Sequence, residues 1–326
     1  MSRPRVLSGI RPTGASFQLG NYLGAVKHWA SMQDDNECFY FLADLHALID
    51  VPDPEQLRRR SLESTAELLA MGVDPQRSTL FAQSHVPEHV ELGWILGCLT
   101  GFGEASRMTQ FKEKGGGTVG LFTYPVLQAA DILMYRPDAV PIGEDQRQHL
   151  ELTRDLAQRF NSKYGETFTL PAAYKGKPGE RIKDLQDPTR KMSKGIGGTG
   201  TIWVLDEPRD IAKKVKSAVT DLGREVTYDP DAKPGIANLL TILAAATGKP
   251  IAELEAAYAG SGYGDFKADV ADAVVELFAP VRERFAEFMA DPAQLSVILA
   301  EGAARAREVA VSTMETVRHR VGLLAV

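Results

Sequence analysis

Tyr124, Gln128, Asp131 and Tyr135 stand at i, i+4, i+7 and i+11 within Leu121-Phe-Thr-Tyr-Pro-Val-Leu-Gln-Ala-Ala-Asp-Ile-Leu-Met-Tyr135. A helix there carries one polar and aromatic stripe along a single face. The rest of that helix is apolar nearly all round, the pattern of a buried element. A carboxylate in such a place is costly unless paired. Asp131 therefore either satisfies a protein donor or is held for a donor on a ligand, and spacing alone leaves both open.

A second chemistry belongs to Ser8-Gly-Ile-Arg-Pro-Thr-Gly-Ala-Ser-Phe-Gln-Leu-Gly-Asn-Tyr-Leu-Gly24, which reads as a strand breaking into a glycine-rich turn that opens a helix near Gln18. Gly9, Gly14, Gly20 and Gly24 let backbone approach a ligand, and the helix start offers free N–H groups and the positive end of a dipole. This is a phosphate-binding geometry, and an anion is expected there. Gly143-Glu-Asp-Gln146 again joins a strand end, a glycine and a helix start. Glu144 and Asp145 serve either a ligand or the dipole of the helix they precede. Lysines come from a basic loop, Arg181 to Gly195, and from a polar, glycine-rich connection, Gly101 to Gly117, that carries Arg107, Lys112 and Lys114.

Two literal motif matches fail on context. Gly195-Ile-Gly-Gly-Thr-Gly200 fits G-x-G-x-x-G, but a basic loop precedes it and the strand-like Thr201-Ile-Trp-Val-Leu205 follows, the reverse of a dinucleotide fingerprint. His85-Val-Pro-Glu-His89 fits H-x-x-E-H, yet Pro87 belongs in a first helical turn and leaves His85 off the shared face. No P-loop run occurs, and Cys38 and Cys98, each in an apolar segment, read as reduced, buried thiols rather than a disulfide or zinc site.

Stepping along the chain, strands are expected at Val6 to Gly9, Cys38 to Leu42, Ser78 to Ala82 and Ala139 to Ile142. Helices are expected at Leu19 to Met32, Pro54 to Met71, Glu88 to Leu99, Leu121 to Tyr135 and Gln146 to Tyr164. That βαβ rhythm is an α/β, doubly wound parallel sheet with its ligand beyond the carboxyl ends of the strands. After Asp206 the patterns are helical, near 207–220, 235–247, 250–259, 265–289 and 292–320. We therefore expect a catalytic domain over 1–180, a smaller all-helical domain over 181–291, and a last helix, about 292–326, that packs back on the first domain. The 326 residues, 44% of them hydrophobic, suffice for two cores. No apolar run of membrane length and no signal peptide are seen, so a cytoplasmic protein is expected. A net charge of −6 argues against indiscriminate nucleic-acid binding but permits a local basic face.

Gln18-Leu-Gly-Asn21, Gly143-Glu-Asp-Gln146 and Lys191-Met-Ser-Lys194 resemble the signature elements of class I aminoacyl-tRNA synthetases. With Ser8-Gly-Ile-Arg-Pro-Thr-Gly, Gly20-Asn-Tyr-Leu-Gly-Ala and Tyr124-Pro-Val-Leu-Gln-Ala-Ala-Asp-Ile-Leu, the resemblance is to the bacterial tryptophanyl branch and covers essentially the whole chain. It implies a Rossmann-like catalytic domain, a helical anticodon-recognition domain, and activation of L-tryptophan by ATP with Mg²⁺, followed by transfer to tRNA(Trp). By the same resemblance Gln18, Lys112, Lys191 and Lys194 act on the phosphates. Arg11, Pro12, Thr13, Gly20, Asn21, Gly143, Glu144, Asp145, Ile182, Met192, Ser193 and Gly195 also line the ATP. Asp131 would face the indole N–H, with Tyr124, Gln128, His46 and Gln146 around the amino acid. Family members are homodimers, the metal is carried by ATP, and no membrane is involved.

The chain departs from the family at Gln18, where His or Thr is common, and at Gly195, where Ser usually ends the lysine loop. Rival readings are a non-charging paralogue that binds tryptophan or ATP as a sensor, a nucleotidyltransferase acting on another small acid, and a tyrosine-specific relative.

Overall fold

The apolar run at Cys38 forms β2 (Glu37–Leu42), flanked by β1 (Arg5–Ile10) and β3 (Ser78–Ala82). Beyond β1 lie β4 (Ala139–Val140) and β5 (Ala172–Ala173), giving one parallel sheet in the order β3-β2-β1-β4-β5. The computed structural model describes residues 3–14, 16–108, 117–143, 146–174, 182–192 and 198–324. Arg5 pairs with Glu37 and Ile10 with Leu42, while β4 meets β1 at Val6 and Ala139. The strand order turns back between β1 and β4, which opens a crevice beyond the carboxyl end of β1.

Both faces of the sheet are covered, as a parallel sheet requires. Val6, Tyr40 and Leu80 point to one side, against α1 (Leu19–Asn21), α2 (Lys27–Met32) and α4 (Pro54–Ala70). A single π-helical stretch, Tyr22–Val26, joins α1 to α2. Leu7, Phe39, Phe41 and Phe81 point to the other side, against α5 (Glu88–Gly97), α7 (Val119–Met134) and α8 (Arg147–Tyr164). The short α3 (Asp44–Ala47) follows β2, and α6 (Phe102–Ser106) follows α5.

The later helices are α9 (Pro208–Lys216), α10 (Pro234–Thr247), α11 (Ile251–Ala257), α12 (Tyr263–Met289) and α13 (Pro292–Val321). Helices α9 and α10 pack on α12, which packs in turn on α4. Helix α13 lies along β3 so closely that a Cβ on Gly302 would sit 1.7 Å from the Leu80 carbonyl oxygen. Arg305 Nη2 donates to the Pro75 carbonyl at 2.8 Å, and Arg307 and Arg318 grip Glu88 and Glu91 of α5.

Two expectations need correction, and one strand was not foreseen. Cys98 is exposed, not buried, because it caps the C-terminus of α5 on the side away from the core residue Leu96. Thr201 to Leu205 is no sheet strand: it makes one antiparallel bridge, Gln18 to Trp203, held by Leu19 N–H to Ile202 O at 2.9 Å and Val204 N–H to Phe17 O at 2.8 Å. Strand β5, two alanines, carried no sequence signal. Helix α7 is buried at Leu121, Pro125, Val126 and from Ala129 to Met134, as its apolar pattern predicts.

Candidate active site

A cavity of about 610 Å³ opens at the turning point of the sheet, and residues singled out from sequence converge on it from five segments. Arg11, Thr13, Gln18 and Asn21 come from the turn after β1, and His46 comes from α3. Tyr124, Gln128 and Asp131 come from α7, Gln146 from the start of α8, and Lys191 and Met192 from the basic loop. Pro12, Gly20, Gly143 and Ile182 are not among its walls. Gly20 instead packs under the basic loop, where an added Cβ would lie 3.7 Å from Ile182 and 3.9 Å from Met192. Lys112, Glu144, Asp145, Ser193, Lys194 and Gly195 lie outside the described residues.

At the floor of the cavity Asp131 is 1% exposed and richly paired. Its Oδ2 is 2.8 Å from His46 Nε2, and its Oδ1 accepts from Gln83 Nε2 at 2.8 Å and lies 2.5 Å from His89 Nδ1. His89 Nε2 is 2.7 Å from the Tyr135 hydroxyl. An ionised carboxylate only accepts, so both histidines turn protonated nitrogens to it, and a neutral His89 takes the Tyr135 proton as a hydrogen bond on its far side. Burial by itself pushes the Asp131 carboxyl up, but the bonds from His46 and His89 outweigh it and hold the group down at about 2. The structure thus supplies the protein donors that spacing left open, and Asp131 still faces the cavity.

Two further pairs shape this end. Tyr124 Oη is 2.7 Å from His149 Nε2, and Gln128 Nε2 donates to Gln146 Oε1 at 3.2 Å, which ties α7 to the start of α8. Sequence reasoning missed Gln83 and His149, and noticed His89 only to reject it as a metal ligand. His89 is fully buried on Asp131 and Tyr135, whereas His85 is exposed in a separate short turn.

The other end is built from backbone and loop. Gly9 is required where it is, because a Cβ would come within 2.4 Å of the Phe41 ring. Gln18 caps α1 from a β conformation, and its side-chain oxygen is buried with no partner among the described residues. That amide, turned over, presents an N–H to an oxyanion in the cavity, while the neighbouring Leu19 and Asn21 N–H groups are taken by the Ile202 and Gln18 carbonyls. Arg11 and Lys191 are exposed cations on the rim, Arg11 pairing with Asp50 at 3.0 Å. One end can hold a flat apolar group with a single N–H donor; the other can hold phosphates.

A family model described as tRNA synthetases class I (W and Y) matches residues 1–279. The chain belongs to that family of class I aminoacyl-tRNA synthetases. Within it, the chain is 56% identical to tryptophan–tRNA ligase 2 of Streptomyces avermitilis, over 99% of this chain and 98% of that one. Its fold is similar to the tryptophanyl-tRNA synthetase of Mycoplasma pneumoniae, with TM-score 0.90, 36% identity and 98% of each chain covered. The enzyme of Campylobacter jejuni, crystallised with ADP and tryptophan, superposes with TM-score 0.84 at 35% identity, over 98% of this chain and 100% of that one.

Proposed function

We infer that this chain is a tryptophan–tRNA ligase, joining L-tryptophan to ATP as tryptophanyl-adenylate with release of pyrophosphate and then passing tryptophan to tRNA(Trp). The observation that carries the reading is one cleft with the turn after β1, Gln18 and the cations Arg11 and Lys191 at one end and a buried, charged acceptor at the other. The amino-acid carboxylate is the nucleophile on the α-phosphate, so the protein's task is to align the two substrates and offset charge on the phosphates.

In this reading Asp131 accepts the indole N–H, with Tyr124, Gln128, His46 and Gln146 around the amino acid. Gln18, Gly20 and Asn21 lie along the ATP, while Lys112, Lys191 and Lys194 meet its phosphates. Arg11 to Thr13, Gly143 to Asp145, and Ile182 to Met192 frame the adenosine, and Ser193 and Gly195 also line the ATP. Mg²⁺ arrives on the phosphates as part of the substrate. The helical region over 181–291 recognises the anticodon, and α13 completes the catalytic domain. We also propose a cytoplasmic homodimer: Trp94, Phe102 and Val119, on three neighbouring elements, are 76–78% exposed, an apolar area suited to a second copy. Among the described residues no single helix is long and apolar enough to cross a membrane.

Tryptophan-dependent pyrophosphate exchange, followed by charging of purified tRNA(Trp), tests the function. Exchange without charging would favour the sensor reading; exchange with tyrosine in place of tryptophan would favour the tyrosine-specific one.

A further inference from the structure

Behind the nucleotide turn, on the side away from the cavity, stands a carboxylate that the chemistry above does not use. Glu67 of α4 is 1% exposed, and its Oε2 accepts from the Ser16 hydroxyl at 2.6 Å and from the Phe17 N–H at 2.8 Å. These two residues immediately precede Gln18, and the next backbone bonds, Val204 N–H to Phe17 O and Leu19 N–H to Ile202 O, tie the same stretch to the segment beyond the lysine loop. A void of about 10 Å³ separates Glu67 from Arg11 and Arg60.

We propose that Glu67 is a positioning residue for ATP, acting as the post to which the turn carrying Gln18 is fastened. A glycine-rich turn left to itself samples many conformations, and each one frozen on binding costs affinity. Two hydrogen bonds to one buried oxygen, from a rigid helix, hold Ser16 and Phe17 before the ligand arrives. Gln18 then has a fixed backbone from which its amide reaches the phosphates. The amino-acid end is built on α3, α7 and α8 and does not touch Glu67, so the effect is confined to the nucleotide.

This rests on reading the turn as the ATP loop, and the test separates the two. KM for ATP and KM for tryptophan are measured in pyrophosphate exchange for Glu67→Ala, Glu67→Gln, Ser16→Ala and Gln18→Ala. Glu67→Ala should raise KM for ATP about tenfold or more and leave KM for tryptophan within twofold. Glu67→Gln should restore most of the loss, since its amide oxygen accepts both bonds, and Ser16→Ala should fall between. If Glu67→Ala proves too unstable to assay, amide hydrogen exchange across residues 16–21 in Ser16→Ala should be faster than in the parent. A rise in KM for ATP with Gln18→Ala but not with Glu67→Ala or Ser16→Ala would overturn the positioning role alone. No rise with any of them would overturn the loop assignment and this inference together.

Discussion

At the amino-acid end of the cleft Asp131 is buried against two histidines and a glutamine, while behind the nucleotide turn Glu67 is equally buried against one hydroxyl and one backbone N–H. The two carboxyls respond in opposite directions. Burial acts on both, but at Asp131 the donors outweigh it and the group sits at about 2, whereas at Glu67 burial prevails over Ser16 and Phe17 and the group rises to about 7. One end of the cleft keeps a fixed negative charge, which in the reading proposed above meets a ligand donor. Behind the other end, outside the cleft, stands a carboxyl that rises to about 7 and is tied into the turn by its hydrogen bonds. What decides between them is the number and kind of donors, not depth.

The comparison can be broken most sharply at the lysine loop. If the nucleotide end works by electrostatics on the phosphates, Lys194→Ala should lower the rate of pyrophosphate exchange by roughly 10²–10³-fold, with a smaller effect on tryptophan affinity. An unchanged rate would remove that lysine from the chemistry. Lys191, on the cavity rim, should follow with a smaller loss.

Next comes Asp131→Asn, expected to weaken tryptophan binding by about 1.5–3 kcal/mol, the range for a charge-assisted bond, while leaving tyrosine binding near its starting value. Because His46, Gln83 and His89 all converge on this side chain, the melting temperature should fall as well. A lower melting temperature with unaltered amino-acid preference would make Asp131 purely structural.

The pH dependence of stability separates the two carboxyls directly. Asp131 has a folded value below its ordinary 3.8, so its stabilisation is present above about pH 3.8 and is lost as pH falls toward about 2, roughly 2 kcal/mol in all. Glu67 has a folded value above its ordinary 4.5, so its contribution is present below about pH 4.5 and is lost as pH rises toward about 7, roughly 3 kcal/mol. Glu63 and Arg60 on its own helix, and Arg11 across the void, set where that second limb falls. Denaturant titrations from pH 2 to 8 should show Asp131→Asn without the acid limb and Glu67→Gln without the neutral one. Coincident profiles would deny the contrast. The smallest effect is expected from Gln18→His, which exchanges one hydrogen-bonding side chain for another and should shift KM for ATP by a fewfold, about 1 kcal/mol or less.

Much of the end proposed for the nucleotide could be read in sequence because it is contiguous: the stretch from Ser8 to Gly24 contains its strand, turn and helix start, and four of its residues, Arg11, Thr13, Gln18 and Asn21, reach the cavity. At the amino-acid end only the α7 stripe could be read. The donors that fix Asp131 lie 85, 48 and 42 residues away, and no local pattern brings His46, Gln83 and His89 together. Strand β5 escaped notice because Ala172 and Ala173 have no β-branched or aromatic side chain to announce a strand. Thr201 to Leu205 had that composition and is used instead as a two-bond clasp on the nucleotide turn. Cys98 misled because an apolar neighbourhood in sequence says nothing about which side of a helix end faces water.

The cover that α13 gives to β3 has a consequence in time. Strand β3 is the outer strand of the sheet, and an uncovered outer strand is a template for pairing with another chain. Its cover is made last: the stretch from Ala82 to Val321 must be synthesised after the strand itself. At about 5–20 residues per second, that leaves the nascent edge open for roughly 10–50 s. Until Gly302 seats on Leu80, the outer edge of this sheet is open to pairing with another chain.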